Sequence, residues 1–377
     1  MTPAHSVRPV ILVVDDEADK LQHGLALDLG DEAELIVRHP KDIESQDIEG
    51  AHLVLVDYRL DDWAERDGQP AAFSIRTGLA LATVLREVAD QVAHGRLTAL
   101  ALHTGHLADA SGRIRPPHSC HVVARLNNLE WVFEKSDAAR MRGAVQLARA
   151  AQRLEGDWPA DASASEARAR ELLNLGDEVG WTERAWDHVR ECQPPVHELG
   201  GGHHGVLFLR WLLHQILPYP CFLWDVNWVA ARLRVSVGDL ERLIASECEL
   251  ARELNRLRYT GLMAGFLGNR WWRAAMEDYA WELGGRSSGR PGQFEERLRE
   301  KAGEELELVA PHDPVVCLDQ ELRPRGITSP EDAVRLRPDY WPPFADAAWM
   351  RIDDVRSDPE LGAMVEPLDD YRVEVDE

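Results

Sequence analysis

The sequence predicts an α/β fold in which a doubly wound parallel sheet is followed by a mainly α-helical region with a small mixed α+β end. Two observations on the first 154 residues predict the sheet. Five short apolar runs alternate with amphipathic segments, and four of the runs end in acidic, hydroxyl or lysine side chains. A third observation is that helical patterns dominate from about residue 165 onward. Strands that alternate with helices are typical of parallel sheets covered by helices on both faces.

The first strand lies in VILVVDDEAD, residues 10–19, where a β-branched apolar run ends in Asp15, Asp16 and Glu17. Such a continuous apolar run predicts a strand that is buried on both faces. KLQHGLALDLG (20–30) has the apolar spacing of a helix and closes with glycine, and AELIVR (33–38) is a second strand. The chain therefore opens as a β-α-β unit.

The third strand, in HLVLVDYRLDD (52–62), ends in acid at Asp57, and TGLALATVLREVA (77–89) is predicted to be helical. LTALALHTGH (97–106) ends its strand at Thr104, LEWVFEKSD (129–137) ends at Lys135, and a last helix is predicted over 137–154. We expect the strand order 2-1-3-4-5. The polar ends of strands 1, 3, 4 and 5 then meet at the carboxyl edge, where open sheets bind ligands.

The domain organisation follows from changes in composition. We predict a domain over 7–154, a linker at 155–164 rich in small and polar residues, a helical domain over 165–283 and a mixed segment over 284–377 that ends in an acidic tail. The apolar helix VLFLRWLLHQIL (206–217) is predicted to form the core of the helical domain, and PVVCLD (314–319) a short strand.

Charge and cysteine content exclude several classes of function. The net charge is −24, and residues 1–154 carry 17 basic and 23 acidic side chains against 25 and 43 in the remainder. Broad contact with nucleic acid or anionic membrane is therefore not expected. No apolar run is long enough to cross a bilayer, and the five scattered cysteines are expected to be reduced, so we expect a cytoplasmic protein.

The residues at the sheet edge are suited to phosphoryl transfer. Asp15, Asp16 and Asp57 offer hard oxygen ligands for Mg²⁺, Thr104 offers a hydroxyl group and Lys135 an ammonium group. A carboxylate can attack phosphorus, and a lysine can neutralise the charge on phosphoryl oxygens.

The order, spacing and strand-end placement of these five residues resemble the receiver domain of two-component response regulators, over residues 7–154. The resemblance implies a flavodoxin-like fold, with Asp57 as the phosphoacceptor and with Thr104 and Lys135 contacting the phosphoryl group. It implies Mg²⁺ bound by Asp15, Asp16, Asp57 and the backbone carbonyl of Arg59. It also implies a partner histidine kinase as phosphodonor and a place in a phosphorelay.

The chain departs from the family pattern around this site. Ser136 stands where the family has a proline after the lysine, and Val132 stands where an aromatic side chain usually moves with the hydroxyl group. The loops between Asp57 and Gly78 and between Thr104 and Lys135 are longer than usual. The loop geometry and the aromatic switch of the family are therefore not implied here.

The second half leaves several outputs open. We expect a non-enzymatic response regulator whose helical part reports phosphorylation by binding another protein, and the aromatic stretch 338–350 is one candidate contact surface. The alternatives are a DNA-binding regulator using the helix-turn-helix-like segment 229–246, an effector enzyme in the C-terminal half, and a divergent, non-phosphorylated receiver used for docking. The presumed recognition helix carries Asp239 and Glu241 against Arg242, which opposes contact with phosphates.

Overall fold

The computed structural model divides the chain into two compact units. The first comprises residues 1–114, 118–166 and 195–214, and the second comprises residues 115–117, 167–194 and 215–377. The structure describes residues 8–63, 75, 77–92, 96–112, 114, 118–156, 158–176, 180–195, 204–286, 289–306, 308–309 and 313–373.

The first unit is built on a five-stranded sheet in which every neighbouring pair of strands is parallel, in the order β2-β1-β3-β4-β5. The predicted strand order is confirmed. The strands are apolar and mostly buried, as expected for a sheet covered on both faces. They are β1 (Val10–Val14), β2 (Glu34–Arg38), β3 (Leu53–Asp57), β4 (Ala99–Thr104) and β5 (Trp131–Glu134).

Helices connect these strands, and the parallel sheet with its helices is consistent with a flavodoxin-like fold. The predicted helices form within a few residues of their expected bounds, and three short helices were not predicted. The helices of this region are α1 (Ala18–Leu29), α2 (Ser45–Gly50), α3 (Gly78–Val92), α4 (Leu107–Ser111), α5 (Ser119–Leu126) and α6 (Arg140–Arg153). One core cluster joins β1, β3, β4 and β5 to α2, α3 and α5.

A later helix also belongs to the first unit. Helix α9 (His204–Trp211) contacts α6 and continues into a π-helical turn at Leu212–Ile216. The predicted assignment of 206–217 to the core of the helical domain is wrong for its first nine residues, because residues 206–214 belong to the same compact unit as the N-terminal sheet. The apolar pattern of a helix predicts that the helix is buried, but it does not predict which surface the helix packs against.

Helices dominate the first part of the second unit. Trp224, Leu240, Leu254, Trp271 and Leu298 are among the side chains that form one core. Helix α7 (Ala162–Leu172) begins in the first unit and ends in the second. The further helices of this part are α8 (Thr182–Glu191), α10 (Val226–Leu233), α11 (Val237–Ile244), α12 (Glu249–Arg256), α13 (Arg273–Leu283) and α14 (Gln293–Ala302). Two short strands, β6 (Leu223–Trp224) and β7 (Trp271–Trp272), pair antiparallel.

The end of the second unit is a mixed four-stranded sheet in the order β10-β11-β8-β9. Its strands are β8 (Val315–Leu318), β9 (Pro324–Thr328), β10 (Ala333–Leu336) and β11 (Ala348–Arg351), with short helices α15 (Ile352–Ser357) and α16 (Pro359–Gly362) beside them. A separate small core includes Leu318, Val334, Met350 and Leu361. The predicted mixed C-terminal end is confirmed, whereas sequence reasoning identified only the first of its four strands.

The predicted boundaries at 155–164 and 284 stay predictions. Residues 155–166 lie within the first unit. In the part of the chain that the structure describes, no helix is both long and apolar enough to cross a membrane.

Candidate functional site

Three carboxylates meet at the carboxyl edge of the N-terminal sheet. Asp15 and Asp16 directly follow β1, and Asp57 is the last residue of β3, the neighbouring strand. Each offers an oxygen within 4.8 Å of the oxygens of the other two. Asp15 and Asp57 are buried, and Asp16 is half-buried. The structure therefore brings together the acids that the sequence singled out.

Lys135 supplies a positive charge to this cluster. It follows β5 directly, and its Nζ lies 2.9 Å from Asp57 Oδ1 and 3.2 Å from Asp15 Oδ2. Its backbone N–H donates to the carbonyl of Thr104 at 2.7 Å, which fixes the turn after β5 against β4. Ser136 occupies this turn, and Lys135 reaches both acids.

Burial governs the ionisation of the cluster. Desolvation raises the pKa of Asp57, although Lys135 opposes that shift. Desolvation also raises the pKa of Asp16, helped by the charge of Asp15 and opposed by a hydrogen bond from the Asp62 N–H, 2.6 Å from Asp16 Oδ2. For Lys135, burial lowers the pKa, but the contacts with Asp57 and Asp15 outweigh it and the net shift is upward. A cation beside Asp57 and Asp16 would therefore stabilise their ionised forms, which burial disfavours.

The donor set fits Mg²⁺, the ion that the resemblance implies. Magnesium takes carboxylate oxygens together with water and phosphate oxygens. The three acids provide such oxygens in one cluster, and one ammonium group does not balance three carboxylates. Asp15, Asp16 and Asp57 would hold the ion. Arg59, whose carbonyl is the further predicted ligand, lies two residues beyond Asp57 in a β-bridge with Thr77.

A glycine fixes the backbone after Asp57. A Cβ atom at Gly78, the first residue of α3, would lie 1.8 Å from the carbonyl oxygen of Asp57. The Gly78 N–H donates to the carbonyl of Tyr58 at 2.8 Å. The start of α3 thus packs directly against the Asp57 backbone, which only glycine permits. Sequence reasoning used Gly78 as a landmark and missed this role.

Thr104 ends β4, next to β3, and its side chain is fully buried. Its Oγ1 accepts a hydrogen bond from the His106 N–H at 2.9 Å. In the register between these strands His103 pairs with Asp57, so Thr104 lies one residue beyond the level of Asp57. The predicted hydroxyl group is therefore at the same edge, with its oxygen used in the turn that leads to α4.

The aromatic positions differ from the family pattern, as expected. Val132 is fully buried in the core, and Trp131 stacks on His121 with ring centroids 6.3 Å apart. Most of the long loop after Asp57 lies outside the described residues, which resume at residues 75 and 77. The described start of the loop includes Trp63, which is buried in the same core.

Two buried polar groups of the first unit were not predicted. His103 is 3% exposed, and neither ring nitrogen has a hydrogen-bond partner among the described residues. Burial, with the charges of Lys135 and Arg140, lowers the pKa of His103 to about 3, so its ring is neutral. The sequence offered one indication of this burial, because His103 lies within the apolar strand β4.

Glu130, just before β5, is the second group, and it is fully buried. Its carboxylate lies 2.6 Å from Arg86 Nη2 and 2.7 Å from Arg210 Nε, and it accepts from the Leu100 N–H. Burial raises the pKa of Glu130, but the two guanidinium groups outweigh it and the net shift is downward. The partners are 44 and 80 residues away in sequence, so no local pattern could show them.

The helix-turn-helix-like segment 229–246 forms two helices, α10 and α11, joined by a turn at residues 234–236. Ser236 caps α11 by accepting from the Asp239 N–H at 3.1 Å. Arg234 pairs with Glu295 at 2.7 Å, and Arg242 pairs with Asp239 at 2.9 Å and also with Glu304. Arg234, in the turn, and Arg242, in the second helix, thus form ion pairs with acids of the same unit.

The sequence matches no protein-family model, and no curated protein is similar enough to be identified as a relative. The fold and the edge cluster define the class as an α/β protein with a flavodoxin-like sheet and a carboxylate–lysine site at the carboxyl ends of its strands.

Proposed function

We propose that the first unit is a receiver domain of a two-component response regulator, phosphorylated on Asp57 by a partner histidine kinase. One observation carries the proposal. A lysine ammonium group lies within 3.2 Å of two carboxylates in a three-acid cluster, at the carboxyl edge of a sheet in the order 2-1-3-4-5. This arrangement supports the proposal because the proposed acceptor Asp57 lies beside two further acids that could bind a metal and in contact with a lysine that could neutralise phosphoryl charge.

In the proposed reaction an Asp57 oxygen attacks the phosphorus of a phosphohistidine. The new O–P bond forms as the P–N bond breaks, and the imidazole nitrogen leaves with the electron pair. Bound Mg²⁺ supplies charge neutralisation for the phosphoryl oxygens. Lys135 is already 2.9 Å from the acceptor carboxylate and pairs with the charge that develops, while the buried Thr104 hydroxyl is available as a hydrogen-bond donor.

We propose that the output is contact with another protein through the C-terminal part of the chain. Acidic composition beyond residue 154 and the internal pairing of Arg234 and Arg242 weigh against the DNA-binding alternative. Weak or absent retardation of mixed duplex DNA at low salt is the expected result. Tight, salt-dependent binding would favour the alternative regulator instead.

The test of the proposal uses the full chain, Mg²⁺ and acetyl phosphate as a small phosphodonor. Intact mass is expected to show one added phosphoryl group in the wild type and none in Asp57→Asn. Asp19→Asn, an exposed acid in α1, is the matched control and should be phosphorylated normally. Altered hydrogen exchange in residues 215–373 on phosphorylation would support the output. If phosphate is never gained, the non-phosphorylated docking module becomes the better account.

A further inference from the structure

An ion pair joins the loop after Asp57 to the segment after Thr104. Arg59 Nη2 lies 2.6 Å from Asp109 Oδ2, and the two residues are 50 positions apart. Asp109 is in α4, which begins three residues beyond Thr104. Arg59 comes two residues after the proposed phosphoacceptor. This ion pair therefore connects the loop after Asp57 with the segment that follows Thr104.

The backbone of Arg59 is fixed while its side chain is free to change partner. Arg59 bridges to Thr77, and the adjacent Tyr58 carbonyl accepts from Gly78. The side chains of Arg59 and Asp109 are 48% and 50% exposed. Exposed ion pairs of this kind contribute little to stability, because solvent screens the charges and both side chains lose freedom. Another anion can therefore displace Asp109 at low cost.

A phosphoryl group on Asp57 would be a stronger partner than Asp109. It carries about −1.5 to −2 charges and three acceptor oxygens, and arginine can bind two of them at once. Two residues of chain separate the Cα atoms of Asp57 and Arg59 by at most about 7 Å, which is within the reach of an arginine side chain. Among the described residues, the other ion-pair partner of the Asp109 carboxylate is His106, whose Nδ1 lies 3.8 Å from Oδ2.

We propose that Arg59 is a positioning residue that exchanges Asp109 for the phosphoryl group on Asp57, so that phosphorylation releases helix α4 from the acceptor loop. The inference rests on the proposed function and specifies how that site is regulated. Coupling free energies are reciprocal. The Arg59–Asp109 ion pair must therefore weaken binding of a phosphoryl group by the same free energy by which a bound phosphoryl group weakens the ion pair.

The test measures an equilibrium, the binding of beryllofluoride as a phosphoryl analogue to the full chain in millimolar MgCl₂, by calorimetry. Asp109→Asn frees Arg59 and should tighten binding about two- to fivefold, whereas Arg59→Gln should weaken it about fivefold. In the Arg59→Gln background, Asp109→Asn should have no effect. Arg149→Gln removes a comparable exposed pair with Glu32, 3.2 Å away, and should change nothing.

Hydrogen exchange gives a second measurement of the same step. Residues 105–112 should exchange faster in wild type with beryllofluoride than without it, and Asp109→Asn should exchange fast in both states. Unchanged affinity in both single variants, with wild-type binding intact, would overturn the Arg59 exchange and leave the receiver proposal standing. No binding to the wild type would overturn both.

Discussion

The Lys135 ammonium nitrogen lies 2.9 Å from Asp57 Oδ1, inside a cluster of three carboxylates. The same nitrogen is 3.2 Å from Asp15, so one lysine neutralises part of the charge that Mg²⁺ would also neutralise. Lysine and metal would therefore compete electrostatically for the same oxygens, while the proposed phosphoryl transfer uses both.

We predict that Lys135→Met binds Mg²⁺ several-fold more tightly than the wild type and yet accepts phosphate poorly. The charge that repels the metal is lost, and so is the partner of the phosphoryl oxygens. Calorimetric titration with MgCl₂ measures the first effect, and Lys135→Arg is the charge-preserving control. Equal or weaker Mg²⁺ binding by Lys135→Met would show that the ammonium group does not act on the metal site.

Gly78 provides a second prediction, because a Cβ there would lie 1.8 Å from the Asp57 carbonyl oxygen. Gly78→Ala must move α3 or the acceptor strand, and it should lower the free energy of unfolding by about 1–3 kcal/mol, the range found for overpacked sites. Gly24→Ala, in α1, is the control, because a Cβ there meets nothing within 4 Å. That substitution should stabilise by roughly 0.5–1 kcal/mol.

Urea unfolding of both glycine variants measures these effects. A Gly78→Ala protein as stable as the wild type, with unchanged Mg²⁺ affinity, would contradict the tight contact between α3 and Asp57.

The ion pair between Glu130 and Arg210 predicts that helix α9 stabilises the N-terminal sheet. Glu130 is fully buried, and Arg210 Nε is 2.7 Å away. Glu130→Gln and Arg210→Gln should each destabilise by roughly 3 kcal/mol, since a buried charge loses a partner. Their coupling in a double-mutant cycle should be about 1–3 kcal/mol.

The exposed pair Arg149–Glu32 is the matched control and should couple by less than about 1 kcal/mol. If the effects of Glu130→Gln and Arg210→Gln on the free energy of unfolding are additive, the Glu130 carboxylate does not stabilise the packing of residues 204–214.

His214 predicts a pH dependence of stability. Its Nε2 donates to the Glu130 carbonyl at 2.8 Å, and burial lowers its pKa to about 4 from an ordinary 6.5. The unfolded chain therefore binds a proton that the folded chain does not between pH 6.5 and 4. The neutral His214 ring therefore contributes its full share to the free energy of unfolding above pH 6.5. As the pH falls from 6.5 to 4, the free energy of unfolding decreases by up to roughly 3 kcal/mol.

The Glu130 carboxylate and the hydrogen bond to the Glu130 carbonyl raise the pKa of His214, whereas the guanidinium groups of Arg210 and Arg125 lower it further. The neighbouring His121 also has a lowered pKa. His214→Gln keeps a donor and removes the titration, so its stability between pH 6.5 and 4 should fall less steeply than that of the wild type. Parallel pH profiles from urea unfolding would contradict this assignment.

The sequence predicted most of the first unit because its signals are local. Apolar β-branched runs define the buried strands, and the polar residues that end them mark the edge where Asp15, Asp16, Asp57, Thr104 and Lys135 were expected. A parallel sheet places successive strand ends at one edge, so these residues could be located without coordinates.

The features that sequence reasoning missed depend on long-range contacts. Arg210 reaches Glu130 across 80 residues, and Arg59 reaches Asp109 across 50. Neither charge stands out from the many others in a chain with 42 basic and 66 acidic residues. In the C-terminal sheet the strands are only four or five residues long, and Pro324 and Gly326 interrupt the apolar alternation of β9. Strand β9 was therefore not predicted.

Asp57 is the proposed phosphoacceptor, and an experiment that locates the phosphoryl group on the chain tests this assignment. The full chain is incubated with Mg²⁺ and acetyl phosphate, digested rapidly in acid, and analysed by peptide mass spectrometry with and without hydroxylamine, which cleaves acyl phosphates. We expect one phosphoryl group, labile to hydroxylamine, on the peptide that contains Asp57. A phosphoryl group on another residue, or an unmodified Asp57 peptide after prolonged incubation, would contradict it.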